Sequence, residues 1–187
     1  MNRSHALRAL LVMACFITLP GWADDRPTTT VHRQMVGELD ESGWAIANST
    51  GGAFSVKTPG KFSDYSSVAT DPKSTIAETH TIVATTLQGI KFTATRIKFR
   101  GGKEVAMKQF NNLKLTDGKV KYKSLKPMKM NTFEAMEGEL EDARSSLIQR
   151  TVLLDSELMT LIVEYPKSED TVARRLVPTY FASLLLE

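Results

Sequence analysis

The sequence predicts an α+β fold: an antiparallel β-sheet of about six to seven strands, with a mid-chain helix and a C-terminal helix packed on it (α/β/α sandwich-like). Three observations predict it. Two runs rich in β-branched and large apolar residues, Ser145 to Leu154 and Glu157 to Tyr165, flank a two-residue turn candidate at Asp155-Ser156. Thr75 to Leu87 and Ile90 to Phe99 form a second such pair around Gln88-Gly89. Lys103 to Leu113 and the stretch after Ser168 instead carry apolar residues at helical spacing.

The first hairpin is the best defined. A turn at Asp155-Ser156 sets Val152 opposite Met159, Leu161 opposite Arg150, Ile148 opposite Val163 and Ser146 opposite Tyr165. Met159, Leu161, Val163 and Tyr165 then share one face without a polar residue. Each such side chain is worth roughly 1.5–3 kcal/mol when fully buried, so that face needs a cover. The amphipathic C-terminal segment is the expected one. Arg150, between Ile148 and Val152, is expected to pair with a carboxylate rather than snorkel to the edge.

From the N-terminus, residues 1–23 read as a signal peptide. Arg3 and Arg8 precede an apolar run from Ala6 to Leu19, and Gly21-Trp22-Ala23 offers small residues before Asp24-Asp25. The run is short for a membrane span, so export to the periplasm or secretion, with cleavage at Ala23-Asp24, is expected. A lesser alternative is lipid attachment at Cys15, the one cysteine in the chain. Cleavage after Ala23 would remove Cys15, and with it any disulfide or thiol chemistry. Residues 24–42 are polar, include Pro27, three threonines and His32, and are expected to be a flexible tether. Residues 43–187 are expected to form a single α+β domain.

Within that domain, short strands are expected at Gly43–Ala47 and Ala53–Lys57, the latter ended by Pro59-Gly60. In the returning strand Ile90, Phe92 and Ala94 share one parity, and Ile97 and Phe99 the other. That predicts a bulge or a change of covered face near Thr95-Arg96. His80 is placed opposite Ile97, as a partly buried core histidine. Lys119 to Leu125 alternates cleanly and reads as a strand ending before Pro127. Thr132 to Leu140 fits either period; strand is preferred because Gly138 weakens a helix. Ser168 is a candidate N-cap, and Pro178 predicts a kink or break in the last helix.

The net charge is +3, and removing the two arginines of the leader takes it to +1. The distribution is uneven: twelve Lys/Arg against Glu104 and Asp117 from Lys91 to Lys129, then ten Asp/Glu against Arg144, Arg150 and Lys167 from Asn131 to Asp170. The simpler expectation is two halves of one sheet neutralising each other. The sharper one is an anion-binding face made by Arg96, Lys98, Arg100, Lys119, Lys121 and Lys123. Consecutive lysines on one strand face also suit edge protection.

The motifs of nucleophilic hydrolases, zinc peptidases, P-loops and dinucleotide folds do not occur. The expectation is therefore a non-enzymatic protein with no cofactor, no metal and no nucleic-acid partner. Its partner is expected to be a protein or an anionic envelope component. Gly52-Ala-Phe54-Ser-Val-Lys-Thr-Pro59-Gly60 is similar to the opening of PsbP-like, Mog1-type domains. The Arg150 to Leu154 and Leu161 to Tyr165 runs resemble their penultimate strands, and Tyr180-Phe181-Ala-Ser183 their aromatic ending. That resemblance implies an antiparallel sheet sandwiched by helices and a role in binding or assembling partners, not in catalysis.

Overall fold

The computed structural model describes residues 27–35, 39–113 and 122–187. Eleven strands are found there: β1 (Thr28–Met35), β2 (Ala45–Asn48), β3 (Phe54–Thr58), β4 (Phe62–Val68), β5 (Ile76–Thr85), β6 (Lys91–Phe99), β7 (Tyr122–Met130), β8 (Phe133–Glu141), β9 (Ser145–Leu153), β10 (Glu157–Pro166) and β11 (Leu185–Leu186). Helix α1 (Gly102–Asn112) follows β6, and α2 (Asp170–Ala182) follows β10 after a 3-10 turn at Lys167–Glu169. Eight strands form one antiparallel sheet in the order β1-β4-β5-β6-β10-β9-β8-β7, and β11-β3-β2 form a small second sheet. The class is α+β, with more strands than the six to seven expected.

The β9–β10 hairpin has the predicted register: Val152 faces Met159, Arg150 faces Leu161, and Ile148 faces Val163. Met159, Leu161, Val163 and Tyr165 are all at most 1 % exposed. Their cover is double. Val177, Tyr180 and Phe181 of α2, and Trp44, Phe54 and Val56 of the small sheet's end, pack into the same core. Phe92 stands edge-on to both Trp44 and Tyr180, at ring centroids 6.1 and 5.1 Å. Such aromatic pairs add to plain area burial.

The parity flip in β6 is a change of covered face, without a bulge in that strand. Phe92 and Ala94 join the α2 core, whereas Ile97 and Phe99 pack with Ala106 and Phe110 of α1. The two helices therefore lie on opposite faces of the large sheet.

Several expectations are corrected. Residues 28–35 fall within the expected tether, yet they pair with β4 as an edge strand. Three threonines and a valine suit an extended backbone, and exposed polar side chains suit an edge. Strand β4 was hidden by its serines and Asp64, although Phe62, Asp64 and Ser66 alternate as buried residues. His80 faces Arg96, not Ile97. Gly89 has φ 80°, and its N–H donates to Thr86 O at 3.0 Å, so the loop holds three residues rather than two and slips the register by one.

Strand β7 runs through Pro127 to Met130. It is the sheet's edge, where a missing N–H removes no ladder bond if it points outward. The stretch from Phe133 to Leu140 is strand, with Thr132 in the turn before it, and the Tyr122 ring covers Gly138, where an added Cβ would lie 2.6 Å from it. Ser168 lies in the 3-10 turn and does not cap α2, whose helical hydrogen bonding continues past Pro178.

Candidate functional site

Two charged clefts lie on the α2 face of the large sheet. The first sits under the β2–β3 turn. Ser49 N–H closes this turn on Phe54 O at 3.0 Å, and Gly51 and Ala53 take φ values of 77° and 48°. Gly52 has an ordinary φ but no room for a side chain. An added Cβ would lie 2.4 Å from Ser49 Oγ and 2.8 Å from His80 Cβ. Two charged residues of the large sheet bolt the turn down. The fully buried Asp64 accepts from Thr50 N–H at 2.8 Å. Arg96 Nη1 donates to the carbonyls of Gly52 and Ala53 at 2.9 and 3.0 Å, while its Nε bonds Glu157.

Beside these bonds is a cavity of about 130 Å³ lined by the turn and by Glu78, His80, Arg96, Lys98 and Glu157. Its floor is two rows of cross-strand neighbours. Glu78, Lys98 and Glu157 occupy the outer row, and His80, Arg96 and Met159 the inner one. His80 Nε2 lies 3.1 Å from Glu78 Oε1. A carboxylate only accepts, so Nε2–H is the donor in this contact. Nδ1 is buried and has no hydrogen-bond partner among the described residues.

The second cleft is a groove of about 310 Å³ between α2 and the β7–β8 edge. Ile148, Val177 and Pro178 give it an apolar lining, and Ser124, Lys126, Glu137, Glu139 and Arg174 a polar one. Arg150 donates to Glu137, and its guanidinium carbon lies 4.6 Å over the Phe181 ring. Arg174 bonds Glu139 and donates Nε–H to Asp170 at 2.9 Å. The Arg174 hydrogen bond, with Lys123 adding its charge, holds Glu139 below the usual carboxylate range. Burial opposes ionisation of Asp170, but hydrogen bonds from Arg174 and Tyr165 outweigh it and lower its pKa. Burial, and then the bond to Asp170, pushes the Tyr165 hydroxyl up to about 12.

The six cations singled out in the sequence are divided by this architecture. Arg96, Lys98 and Arg100 share one parity at the end of β6. Arg96 is spent on Glu157 and two carbonyls, and Arg100 donates to Ala69 O at 2.7 Å. Lys98 is exposed. Lys123 lies four strands away, roughly 19 Å at the usual strand spacing, within 3.6 Å of Glu139 and Glu141. Lys119 and Lys121 lie outside the described residues. Basic β6 and β7 therefore face acidic β10 and β8: Lys98 opposes Glu157, Lys91 Glu164, Lys126 Glu137 and Lys129 Glu134.

Sequence reasoning missed His80 as part of a cleft, and it missed Lys126 and Arg174. For Arg150 the signal was its position on an apolar parity. For Arg174 the signal was its i,i+4 spacing from Asp170; its bond to Glu139, 35 residues away, had none. Among the described residues no cluster of three or more His, Cys, Asp or Glu is placed to hold a metal, and no helix is long and apolar enough to cross a membrane.

Comparison with family models and with curated proteins finds no match. Among solved structures, the chain is similar to cyanobacterial PsbP (CyanoP) from Synechocystis sp. PCC 6803, at 10 % identity and a TM-score of 0.49, over 81 % of this chain and 96 % of that one. It is also similar to LpqN of Mycobacterium tuberculosis, described as involved in cell envelope biogenesis. That likeness has 12 % identity and a TM-score of 0.38, over 89 % of this chain and 87 % of that one.

Proposed function

We propose that the chain is an exported, non-enzymatic binding module that receives a partner protein in the groove between α2 and the β7–β8 edge. The observation that carries this reading is the composition of that groove. An apolar lining of Ile148, Val177 and Pro178 meets Lys126 and Arg174 in a space of about 310 Å³. This is the lower end of the ligand-cleft range, roughly 300–1,000 Å³. Strand addition is not the mode, because Pro127, three lysines and a bulge between Tyr122 and Ser124 blunt the neighbouring edge. Side chains of the partner enter the groove instead.

A photo-crosslinking residue at Lys126, compared with one at Lys61, tests this in cells carrying the full chain. Adducts with one discrete partner at Lys126, reduced by Arg174→Glu, are expected. Equal adducts from both positions would refute the assignment. Export itself is read by intact mass, with Asp24 as the expected first residue; a lipid-bearing Cys15 would overturn that.

A second reading, the binding of anionic envelope polymers, rests on exposed Lys98 at the end of β6. Heparin binding that weakens steeply as salt rises, and is lost in Lys98→Glu with Arg100→Glu, is its expected signature.

A further inference from the structure

We propose that the groove between α2 and the β7–β8 edge selects a protein segment that carries an acidic side chain two or three residues from an aliphatic one. The inference rests on the reading of that groove as the partner-binding site, and it adds the chemistry of the partner.

The sign of the partner's charge follows from which groove charges are already engaged. Glu137 accepts both Arg150 bonds on one oxygen. Glu139 is bonded by Arg174 and lies 3.6 Å from the Lys123 ammonium, and Arg174 is shared with Asp170. Lys126 is different. It opposes Glu137 in register, yet it makes no ion pair or hydrogen bond among the described residues. Lys126, Arg150 and Arg174 thus stand against Glu137 and Glu139, while Lys123 and Asp170 add one charge of each sign. One cation is left over. An incoming ammonium would have to displace a guanidinium or sit beside one, whereas a carboxylate meets Lys126 without breaking a bond. Ser124 lies two residues from Lys126 and also lines the groove, so its hydroxyl can donate to the same carboxylate.

The apolar subsite sets the spacing. Ile148 lies two strands inward of Ser124, through Glu139, roughly 10 Å at the usual strand separation. That is the reach of about three residues of extended chain. Val177 and Pro178 of α2 complete the subsite beside Ile148. The Pro178 ring has no rotamer freedom to lose on binding, so its surface is covered at little entropic cost. A polyanion is a poorer match, because it would find one uncommitted cation beside two carboxylates and an apolar wall.

The test places a photo-crosslinking residue at Thr171 in cells carrying the full chain. Thr171 is exposed and precedes Arg174 and Pro178 by three and seven residues, on their side of α2, so every lining residue stays native. The adduct is sequenced by mass spectrometry, and the captured segment is expected to hold Asp or Glu within about three residues of an aliphatic side chain. Lys126→Glu is expected to lower the adduct yield about tenfold, and Lys126→Arg to keep it near wild type. The glutamate keeps a charge on the β7 edge, so edge protection is preserved, and a thermal melt reports whether the fold is intact. Lys126→Gln, which puts no like charge opposite Glu137, should lower the yield about threefold even if the reversal disturbs the edge. Changing the partner's acid to lysine should restore adducts in the Lys126→Glu cells. A yield unchanged or raised by Lys126→Glu and Lys126→Gln, a captured segment without an acid, a lipid or polymer adduct, or failure of the partner's lysine to rescue would each overturn the assignment. Absence of any wild-type adduct would instead remove the groove reading itself, and this inference with it.

Discussion

Arg150 of β9 and Glu137 of β8 face each other across the ladder, and the guanidinium donates Nη2–H and Nε–H to one carboxylate oxygen at 2.7 and 3.1 Å. The same guanidinium lies over Phe181 of α2. One side chain thus ties the acidic strand, the central hairpin and the C-terminal helix together. Glu137 is 38 % exposed, so its pairing is screened, and Glu137→Gln should cost less than about 1 kcal/mol. Arg150→Ala should cost more, about 1–3 kcal/mol, because it also strips packing from Phe181. Urea unfolding of both variants decides; equal losses would mean that the stacking contributes nothing.

Leu161 is fully buried in the middle of β10, beneath α2 and the small sheet. Leu161→Ala should lose about 2–5 kcal/mol through the lost transfer energy and the cavity left behind. A loss below about 1 kcal/mol in the same assay would place the core elsewhere.

Gly52 supplies a steric test of how the two sheets are joined. Its φ is ordinary, so an alanine there is not strained by backbone conformation; the obstacle is Ser49, His80 and Phe54. Gly52→Ala should destabilise by about 1–3 kcal/mol by overpacking. Gly60→Ala is a useful contrast, since nothing lies within 4 Å of its added Cβ and only its φ of 114° penalises it. Thermal melts of the two variants, with NMR of the His80 ring, separate the causes: only the first should move His80.

The legible parts of this fold are those fixed by local rules. The Asp155-Ser156 turn leaves one closure, so the β9–β10 register follows from the sequence, and with it the covered face. The β5–β6 register was missed by one residue because the positive φ of Gly89 adds a loop residue without changing the composition of the turn. β4 was illegible for a different reason: its buried Asp64 is satisfied by Ser49 and Thr50 of the β2–β3 turn, a contact with no trace in a period-2 pattern. Both clefts depend on such distant pairings. Charge blocks predicted that basic and acidic stretches would meet, but not that Arg174 would bridge Asp170 to Glu139.

That bridge predicts a response to acid. Glu139 has a folded pKa below its ordinary 4.5, chiefly because Arg174 bonds it. A depressed carboxylate adds stability that is fully present above the unfolded value and is lost as pH falls through the folded one. Stability should therefore decline below about pH 4.5, and Glu139→Gln should flatten that part of the profile while lowering stability near neutrality. Urea midpoints measured from pH 3 to 7 for both proteins provide the check. Parallel profiles would show that Glu139 carries none of the acid sensitivity.

The last prediction concerns the β7 edge, where Lys123, Lys126 and Lys129 flank Pro127 on the outermost strand. Exposed edges template pairing with other chains, and lysine and proline are common ways to prevent it. Lys126 and Lys129 oppose Glu137 and Glu134 on the inner neighbour, so replacing them also removes attractive cross-strand pairs. Those exposed pairs are worth little, so Lys126→Thr with Lys129→Thr should shift stability by less than about 1 kcal/mol. Association is the property expected to change. Light scattering should show growth that depends on protein concentration in the double variant and not in the wild type. Restoring lysine at either position should suppress part of it. If instead the variant stays monomeric and loses salt-sensitive heparin binding, the lysines serve a ligand and not the edge.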